Sequence, residues 1–232
     1  MRVGILANSY LSAFRIYQQL HDLPDCDLFI LLAPLPHRSP WISILANFAR
    51  MIFTCFTVAG WQLSALPFNR RVVFLPHPIN HPDSVAQLTR KRLDIGLLNS
   101  GIIYREPTIA AFRLGILNPH IGVLPKYRGR NVMEWSVLQG DRTGVTVFFI
   151  DGGIDTGERI VVQEEVDISQ FTSISKAKQY LFDLDGSFFR KALIRLTAEN
   201  SSYQINDGSG HRYYVMSQLF QGVVTELLQG NN

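Results

Sequence analysis

The 232-residue sequence is poor in cysteine and has no dense run of basic residues. Its two cysteines, Cys26 and Cys55, form no CxxC pair, which argues against a disulfide framework and against a zinc site. The formal charge of +3 is small, and the basic runs at 69–71 and 90–92 are short, so nucleic acid is not predicted as a partner. The beginning, MRVGILANSY, indicates a first strand rather than a signal peptide, and we expect a cytoplasmic protein.

Several motifs of nucleotide, hydrolase and metal chemistry are also absent. No GxGxxG follows the first strand, where ANSYLSAF contains no glycine, so a dinucleotide-binding fingerprint is excluded. Neither a Walker loop nor a GxSxG elbow occurs. His77 and His81 are four residues apart, but the prolines between them prevent the helix that would make them joint metal ligands. We therefore predict no metal site.

What the sequence does contain is an alternation of apolar runs and helical patterns. The apolar runs lie at residues 3–7, 26–33, 71–77 and 93–99. Strands that are apolar along their whole length, and that alternate with helices, predict an open α/β fold: a mostly parallel twisted sheet with helices on both faces. Turn residues at Gly208 to Gly210, flanked by aromatics, predict a hairpin. We expect a main domain over residues 1–200 and a short hairpin and helix extension over 201–232.

The longest apolar stretch is WISILANFARMIFTCFTVAGWQLSAL, residues 41–66, in which Arg50 is the one charge. Its length raises the question of a membrane helix. Polar residues such as Asn47 dilute that signal, and an arginine near a bilayer centre is costly. We therefore favour a helix that packs on a sheet or on a partner over a membrane contact. Together with the tail, this surface predicts a homodimer.

Candidate reactive residues follow an apolar strand in LNPHIGVLPKYRG, residues 117–129. In open α/β sheets, ligands bind at the carboxyl ends of the strands. Proline after Asn118 favours an extended chain, in which Asn118 and His120 face the same side. From these residues alone, His120 is equally well explained as a structural histidine that bonds a loop carbonyl. The loop DGGIDTGE, residues 151–158, offers glycine backbone to a ligand and two aspartates that could orient a histidine, or it is simply an acidic hairpin turn.

The stretch LNPHIGVLPKYRGRNVMEWSVLQGDRTGVTVFFIDGGIDTGERIVVQEEV resembles the core of the folate-dependent formyltransferases. It has an Asn-x-His, a Leu-Pro-x-Tyr-x-Gly loop, a Trp-containing helix, a Gly-Val-Thr strand and an Asp-Thr-Gly loop in that order. The resemblance implies that Asn118, His120 and Asp155 are catalytic, that N10-formyltetrahydrofolate is the formyl donor and that no metal is needed. Gly122 departs from the family, in which many members have a serine. By the same resemblance, the Leu124–Pro125 bond is expected to be cis.

The resemblance also implies roles for these residues. Asn118 would donate a hydrogen bond to the developing oxyanion, which is worth about 3 kcal/mol. His120 would either hold the oxyanion as an imidazolium or shuttle protons, and Asp155 would orient it. The pterin of the donor would lie against the backbone of two segments, namely Gly101, Ile102, Ile103 and Tyr104, and Ile150, Asp151, Gly152 and Gly153.

The acceptor is predicted to be a primary amine on a nucleotide-linked 4-amino-4,6-dideoxyhexose. A methionyl-tRNA enzyme would carry a further C-terminal domain, and a purine-pathway enzyme typically has a glycine-rich turn where this chain has ANSYLSAF. The aromatic tail is similar to that of small nucleotide-sugar formyltransferases. We assign acceptor binding to Asn8, Ser9, Lys126, Arg128 and Arg130. Glycinamide ribonucleotide or a peptidyl amine remains an alternative acceptor; a formyltetrahydrofolate hydrolase and a non-catalytic folate-binding module are alternatives of another class.

Overall fold

The computed structural model describes residues 1–35, 39–57, 71–198 and 202–230. Contacts divide the chain into two compact units, Met1–Leu117 and Asn118–Asn232. The main sheet has eight strands, is mostly parallel, and has helices packed around it. The predicted α/β fold class is thereby confirmed.

The first unit contains five parallel strands in the order β3-β2-β1-β4-β5. Burial is nearly continuous along two interior strands, β1 and β2, where Ile5 and Ile30 are fully enclosed. Strands buried on both faces need apolar residues at every position, which is why they read as unbroken apolar runs. The strands are β1 (Arg2–Ala7), β2 (Asp27–Leu32), β3 (Val72–Phe74), β4 (Ile95–Asn99) and β5 (Gly115–His120), the last of which crosses the division between the units.

The helices of the first unit follow its strands. Helix α3 shows why they begin where they do: Pro82 occupies its first turn, and the His81 side chain accepts a hydrogen bond from the Asp83 N–H at its N-cap. Its last turn carries Arg90 and Lys91, which complement the helix dipole. The helices are α1 (Tyr10–Leu20), α2 (Pro40–Thr57), α3 (Pro82–Lys91) and α4 (Glu106–Ile109).

Helix α2 contains the described part of the long apolar segment; residues 58–66 lie outside the described residues. Among the described side chains of this helix, Asn47 is buried; its amide donates to the Asn8 carbonyl at 3.2 Å and its oxygen accepts from the Tyr10 N–H at 3.1 Å. Five apolar side chains of this helix face solvent, so they do not pack on the sheet. That they pack on a partner protein stays a prediction. They are Trp41, Ile42, Leu45, Phe48 and Ile52. Among the described helices, none is both long enough and apolar enough to cross a bilayer.

The second unit contains an antiparallel pair, β7 with β8, and a short strand β9 on the outer edge of β8. Strands β7 and β8 lie on either side of the loop DGGIDTGE, and two helices follow them. The elements are β6 (Tyr127–Gly129), α5 (Val132–Leu138), β7 (Gly144–Phe149), β8 (Arg159–Glu165), α6 (Ile174–Asp183), α7 (Asp185–Thr197), β9 (Gln204–Ile205), β10 (His211–Tyr213) and α8 (Gln218–Gly230).

The predicted C-terminal hairpin is wrong. Strand β9 pairs with β8, whereas β10 pairs in parallel with β6, so the turn at Gly208 connects two different sheets. Gly210 passes so close to the Pro125 carbonyl that a Cβ there would lie 1.3 Å from the oxygen. Beyond it the Tyr213 ring stacks on Tyr127 with centroids 5.4 Å apart. The tail therefore packs into the second unit; the division at residue 200 stays a prediction.

Candidate active site

The end of strand β5 presents Asn118 and His120. The chain is extended through Asn118, Pro119 and His120, as the proline predicted. His120 is buried and Asn118 is half-buried. Residues two apart on a strand point to the same side, so the amide and the imidazole share one face of β5.

Both ring nitrogens of His120 face oxygen atoms. Nε2 donates a hydrogen bond to the Tyr127 carbonyl at 2.8 Å, and Nδ1 lies 3.6 Å from Oδ2 of Asp155. A carbonyl oxygen only accepts, so Nε2 carries a hydrogen and Nδ1 is the nitrogen that can gain or lose one. The edge-on ring of Phe148, 6.5 Å away at 90°, closes another side of the imidazole. His120 is thus bonded to a loop carbonyl, and it also faces a carboxylate.

Asp155 is held in a fixed orientation by its backbone. Its φ of 53° lies in the left-handed region, which few residues other than glycine occupy. Its Oδ2 accepts a hydrogen bond from the Gly129 N–H at 2.9 Å, and its side chain is 13% exposed. Strain of this kind persists where surrounding contacts fix it, and it is common at functional sites.

Asn206, which the sequence analysis did not single out, supports the Asp155 loop from the tail. It is buried, and its amide donates to the carbonyls of Asp155 at 3.2 Å and Gly157 at 3.1 Å. Its own backbone N–H donates to the Glu158 carbonyl at 2.8 Å. Asn206 belongs to the run NDGSG, whose turn-forming residues predict a hairpin. Such a local pattern does not indicate a contact with residues 155 and 157.

The surroundings of Gly122 explain why this chain has glycine where many family members have a serine. A Cβ at this position would lie 2.8 Å from His120 Nε2 and 2.9 Å from the Tyr127 oxygen, which leaves no room for a side chain. The Tyr127 carbonyl therefore supplies the contact to His120. Nearby, Thr146 donates to the Gly122 carbonyl at 2.6 Å, and the Leu124–Pro125 bond is cis, as predicted.

Asp151 and Asp155 have different roles in their loop. Oδ1 of Asp151 accepts from the Gly153 N–H at 2.9 Å and from the Thr156 hydroxyl at 2.7 Å, so Asp151 closes the turn. Asp155 is the aspartate that faces His120, which decides between the two candidates. Three other residues of this loop are predicted to bind the donor. Gly152 and Gly153 are exposed, and Ile150 is half-buried.

The other predicted donor-binding segment follows β4 in the first unit. Gly101 is exposed, with open space where a Cβ would point, and Ile103 is 70% exposed, whereas Ile102 is half-buried. Tyr104 is buried, which raises its pKa to about 12, and its hydroxyl lies 2.9 Å from that of Ser100. The Asn99 amide nitrogen at the end of β4 is buried without a hydrogen-bond partner in the described structure. An orphaned donor beside open backbone suits a polar ligand, and the sequence analysis missed it.

Three of the predicted acceptor-binding residues surround β6. Lys126 bonds Asp141 at 2.5 Å, and its ammonium together with the Tyr127 hydroxyl holds the pKa of Asp141 below its usual value. Arg128 donates to the Gly208 carbonyl at 3.3 Å, but its Nε is buried without a partner in the part of the chain described. Arg130 is exposed. Lys126 is therefore already engaged, which makes Arg128 and Arg130 the stronger candidates here for binding an anion.

The remaining two, Asn8 and Ser9, lie in the first unit at the carboxyl end of β1. The Asn8 amide donates to the Ala33 carbonyl at 2.9 Å. Ser9 is the N-cap of α1 and makes no side-chain capping bond, so its hydroxyl does not satisfy the helix end. Strand ends of this kind are the usual position of ligands in open α/β sheets.

Residues 100–193 match the family model described as Formyl transferase. Over these residues the chain is similar to the formyl transferases. The matched range contains Asn118, His120 and Asp155, so the formyl transferase resemblance found in the sequence is confirmed.

The individual proteins to which this chain is similar include curated sequences and solved structures. The methionyl-tRNA formyltransferase of Thermotoga maritima is 29% identical over 162 residues, which cover 68% of this chain and 51% of that protein. A 4-N formyltransferase from Francisella tularensis has a similar fold, with a TM-score of 0.65 and 14% identity over 98% of this chain and 87% of that one. So does the formyltransferase PseJ from Anoxybacillus kamchatkensis in complex with UDP-4,6-dideoxy-4-formamido-L-AltNAc and tetrahydrofolate, with a TM-score of 0.52 and 19% identity over 100% of both chains. The chain spans about half the length, or less, of the curated relatives that it matches.

Proposed function

We propose that the protein transfers a formyl group from N10-formyltetrahydrofolate to a primary amine. The observation that carries this proposal is the pairing of His120 with Asp155 at the end of β5, two residues after Asn118, inside the region that matches the family model. A buried imidazole next to a carboxylate, on the same face as an amide donor, supplies the groups that acyl transfer to an amine requires.

The reaction forms one bond and breaks another. The acceptor nitrogen bonds to the formyl carbon, the bond from that carbon to N10 of the donor breaks, and one proton passes from the amine to N10. Asn118 donates a hydrogen bond to the formyl oxygen as negative charge develops there. Nδ1 of His120 accepts and returns the proton, and the Asp155 carboxylate stabilises the ring while it holds both hydrogens.

The donor would be held by exposed backbone and by an unsatisfied amide. In the first unit these are the backbone of Gly101 to Tyr104 and the Asn99 amide nitrogen, which is buried without a partner among the described residues. In the second unit the exposed glycines Gly152 and Gly153 offer the same kind of backbone. Polar backbone that no side chain covers suits the amide-like edge of a pterin.

We propose a nucleotide-linked 4-amino-4,6-dideoxyhexose as the acceptor. The sugar N-formyltransferase folds support this choice, since the similarity to the Francisella enzyme extends over 98% of this chain, tail included. We assign the binding of the nucleotide diphosphate and sugar to Asn8, Ser9, Arg128 and Arg130. Lys126 would join them if its ion pair with Asp141 breaks. The curated relatives favour methionyl-tRNA as the competing acceptor, which is therefore included in the test.

The test is a mass-spectrometric assay of the purified protein with N10-formyltetrahydrofolate and a panel of amines. The panel contains 3-amino and 4-amino nucleotide sugars, glycinamide ribonucleotide and charged methionyl-tRNA. We expect one formyl group to be added to a 4-amino nucleotide sugar. His120→Ala and Asn118→Ala should each lower turnover at least about a hundredfold, whereas His21→Ala, which removes an exposed histidine of the first unit, should not.

The other outcomes discriminate among the alternatives. Formylation of methionyl-tRNA or glycinamide ribonucleotide alone would replace the sugar but keep the chemistry. Loss of formyl groups from the donor without any formylated amine would indicate a hydrolase. Donor binding without turnover, detected by equilibrium dialysis, would indicate a binding module, and near-normal rates in His120→Ala would contradict the assigned site.

A further inference from the structure

His77, His81 and Asp83 lie together where the loop after β3 enters α3. Nε2 of His77 is 3.5 Å, and Nδ1 of His81 is 3.6 Å, from Oδ2 of Asp83. The two imidazole rings are 4.0 Å apart between centroids. The prolines do keep residues 77–81 out of a helix, as the sequence predicted, but the turn brings the two rings together without one.

We propose that His77, His81 and Asp83 form a binding site for a divalent transition-metal ion of the Zn²⁺ type. Two ligand atoms on a tetrahedral Zn²⁺ with bonds of about 2.0–2.1 Å stand about 3.3 Å apart. The two nitrogen-to-carboxylate distances exceed this value by a few tenths of an ångström, which small side-chain rotations remove. Two imidazoles and one carboxylate are ligands that Zn²⁺ accepts, and a water molecule would complete the coordination.

The backbone that carries the three ligands is already fixed. Ser84 donates to the His77 carbonyl at 2.8 Å, which ties the first ligand to α3. Between the two histidines, the side-chain oxygen of Asn80 accepts from the Arg105 N–H at 2.9 Å and from the Thr108 hydroxyl at 2.8 Å. Prolines 76, 78 and 82 restrict the chain between these anchors. An ion would therefore bind a preformed loop and order little new backbone.

The ligand atoms can be released to a metal. All three side chains are substantially exposed, at 40% for His77, 43% for His81 and 67% for Asp83, so an ion can enter from solvent. Nδ1 of His81 accepts a hydrogen bond from the Asp83 N–H at 3.3 Å, which is long for such a bond. Coordination would exchange this weak cap for a metal bond.

This inference does not depend on formyl transfer. The three ligands belong to the first unit, whereas His120 and Asp155 belong to the second. The family resemblance implies no metal in the reaction, so the site is a separate property of this chain. Its test therefore measures the metal itself, and failure of either proposal leaves the other in place.

The experiment is calorimetric titration of the untagged protein with ZnCl₂ in a buffer that does not bind metals. We expect one saturable Zn²⁺ per chain. His77→Ala and Asp83→Asn should each weaken the affinity by at least about tenfold. The matched control, His21→Ala, removes another exposed histidine and should bind Zn²⁺ as the unchanged protein does. His77→Ala is the decisive variant, because His77 does not cap α3 and its loss should leave the helix intact.

Co²⁺ absorption provides a second readout. The unchanged protein should show visible bands of a low-symmetry Co²⁺ site, and a His77→Ala/His81→Ala double variant should lose them while its circular dichroism stays the same. Absence of saturable Zn²⁺ binding would overturn the proposal. So would equal affinity in the double variant, or binding that is lost only in His120→Ala, since either result would place the ion elsewhere.

Discussion

At the scale of the single residue, the candidate site depends on what faces each nitrogen of His120. The Tyr127 carbonyl fixes a hydrogen on Nε2, and the Asp155 carboxylate faces Nδ1. From the sequence alone, His120 was equally well explained as a structural or as a reactive histidine, because a local pattern cannot show a partner 35 positions further along the chain. In the structure His120 fits both descriptions, because the hydrogen bond from Nε2 to the Tyr127 carbonyl orients Nδ1 toward the Asp155 carboxylate.

Gly122 is the residue on which this arrangement can be tested most directly. Gly122→Ala places a Cβ 2.8 Å from Nε2 and 2.9 Å from the Tyr127 oxygen, so it must displace the ring or the loop. We expect formyl transfer to fall at least about tenfold and the free energy of unfolding to fall by about 1–3 kcal/mol. Turnover assays and chemical denaturation check both expectations.

The matched control is Gly222→Ala, which adds the same methyl group to an exposed position of α8. Apart from the backbone of its own helix, no atom of the described residues lies within 4 Å of the added carbon. Alanine is the better helix former, so this variant should be unchanged in turnover and more stable by about 0.5–1 kcal/mol. If Gly122→Ala retained full activity, the contact between His120 and the Tyr127 carbonyl would have no part in the reaction.

At the scale of the element, Asn206, the residue directly after β9, holds the loop that carries Asp155. Asn206→Ala removes the amide that donates to the Asp155 and Gly157 carbonyls and leaves two acceptors unpaired. We expect unfolding to become easier by about 1–3 kcal/mol and turnover to fall, because the left-handed conformation of Asp155 loses its support. Asp207→Asn, one residue further along and exposed, keeps a side-chain oxygen that can accept from the Ser209 N–H and hydroxyl, and should change neither quantity by much. Equal behaviour of the two variants in denaturation and turnover would contradict a supporting role for Asn206.

The junction of α6 and α7 predicts a dependence of stability on pH. The Asp185 residue is half-buried but its Oδ1 is enclosed without a partner in the described structure, and burial, followed by the charge of Asp183, raises its pKa to about 8. The unfolded chain releases this proton near pH 4, so the native state loses stability as the pH rises from about 4 to about 8. Asp185→Asn should therefore be stabilising, by about 1–3 kcal/mol more at pH 8 than at pH 5.

Denaturant titrations at pH 5 and pH 8 measure the effect of Asp185→Asn. Asp183→Asn removes only the neighbouring charge, which is the smaller of the two causes, and should shift stability in the same direction by less. A stability difference between Asp185→Asn and the unchanged protein that is the same at both pH values would show that Asp185 is already ionised in the native state.

At the scale of the whole molecule, the sequence predicted those elements whose local residue pattern matches their burial in the fold. Strands such as β1 and β2 are apolar at every position because both faces are covered, and that property is readable without a structure. The hairpin failed because β9 and β10 bond to β8 and β6, partners that no turn residue encodes. The His77 and His81 pair was set aside because no helix could join the two residues, whereas a turn brings their rings together.

The exposed face of α2 predicts that the protein self-associates. Trp41, Leu45, Phe48 and Ile52 are spaced by four, three and four residues, so they form one apolar stripe, and each is at least 40% exposed. Contiguous apolar surface of this kind usually marks an interaction site. We expect a homodimer in sedimentation velocity, and Leu45→Glu should weaken it at least about tenfold because each interface would bury an unpaired charge. Gln19→Glu, which adds the same charge at an exposed position of α1, should leave the dimer intact. A monomer at all concentrations would contradict the dimer, and binding of that monomer to anionic vesicles would favour the membrane contact instead.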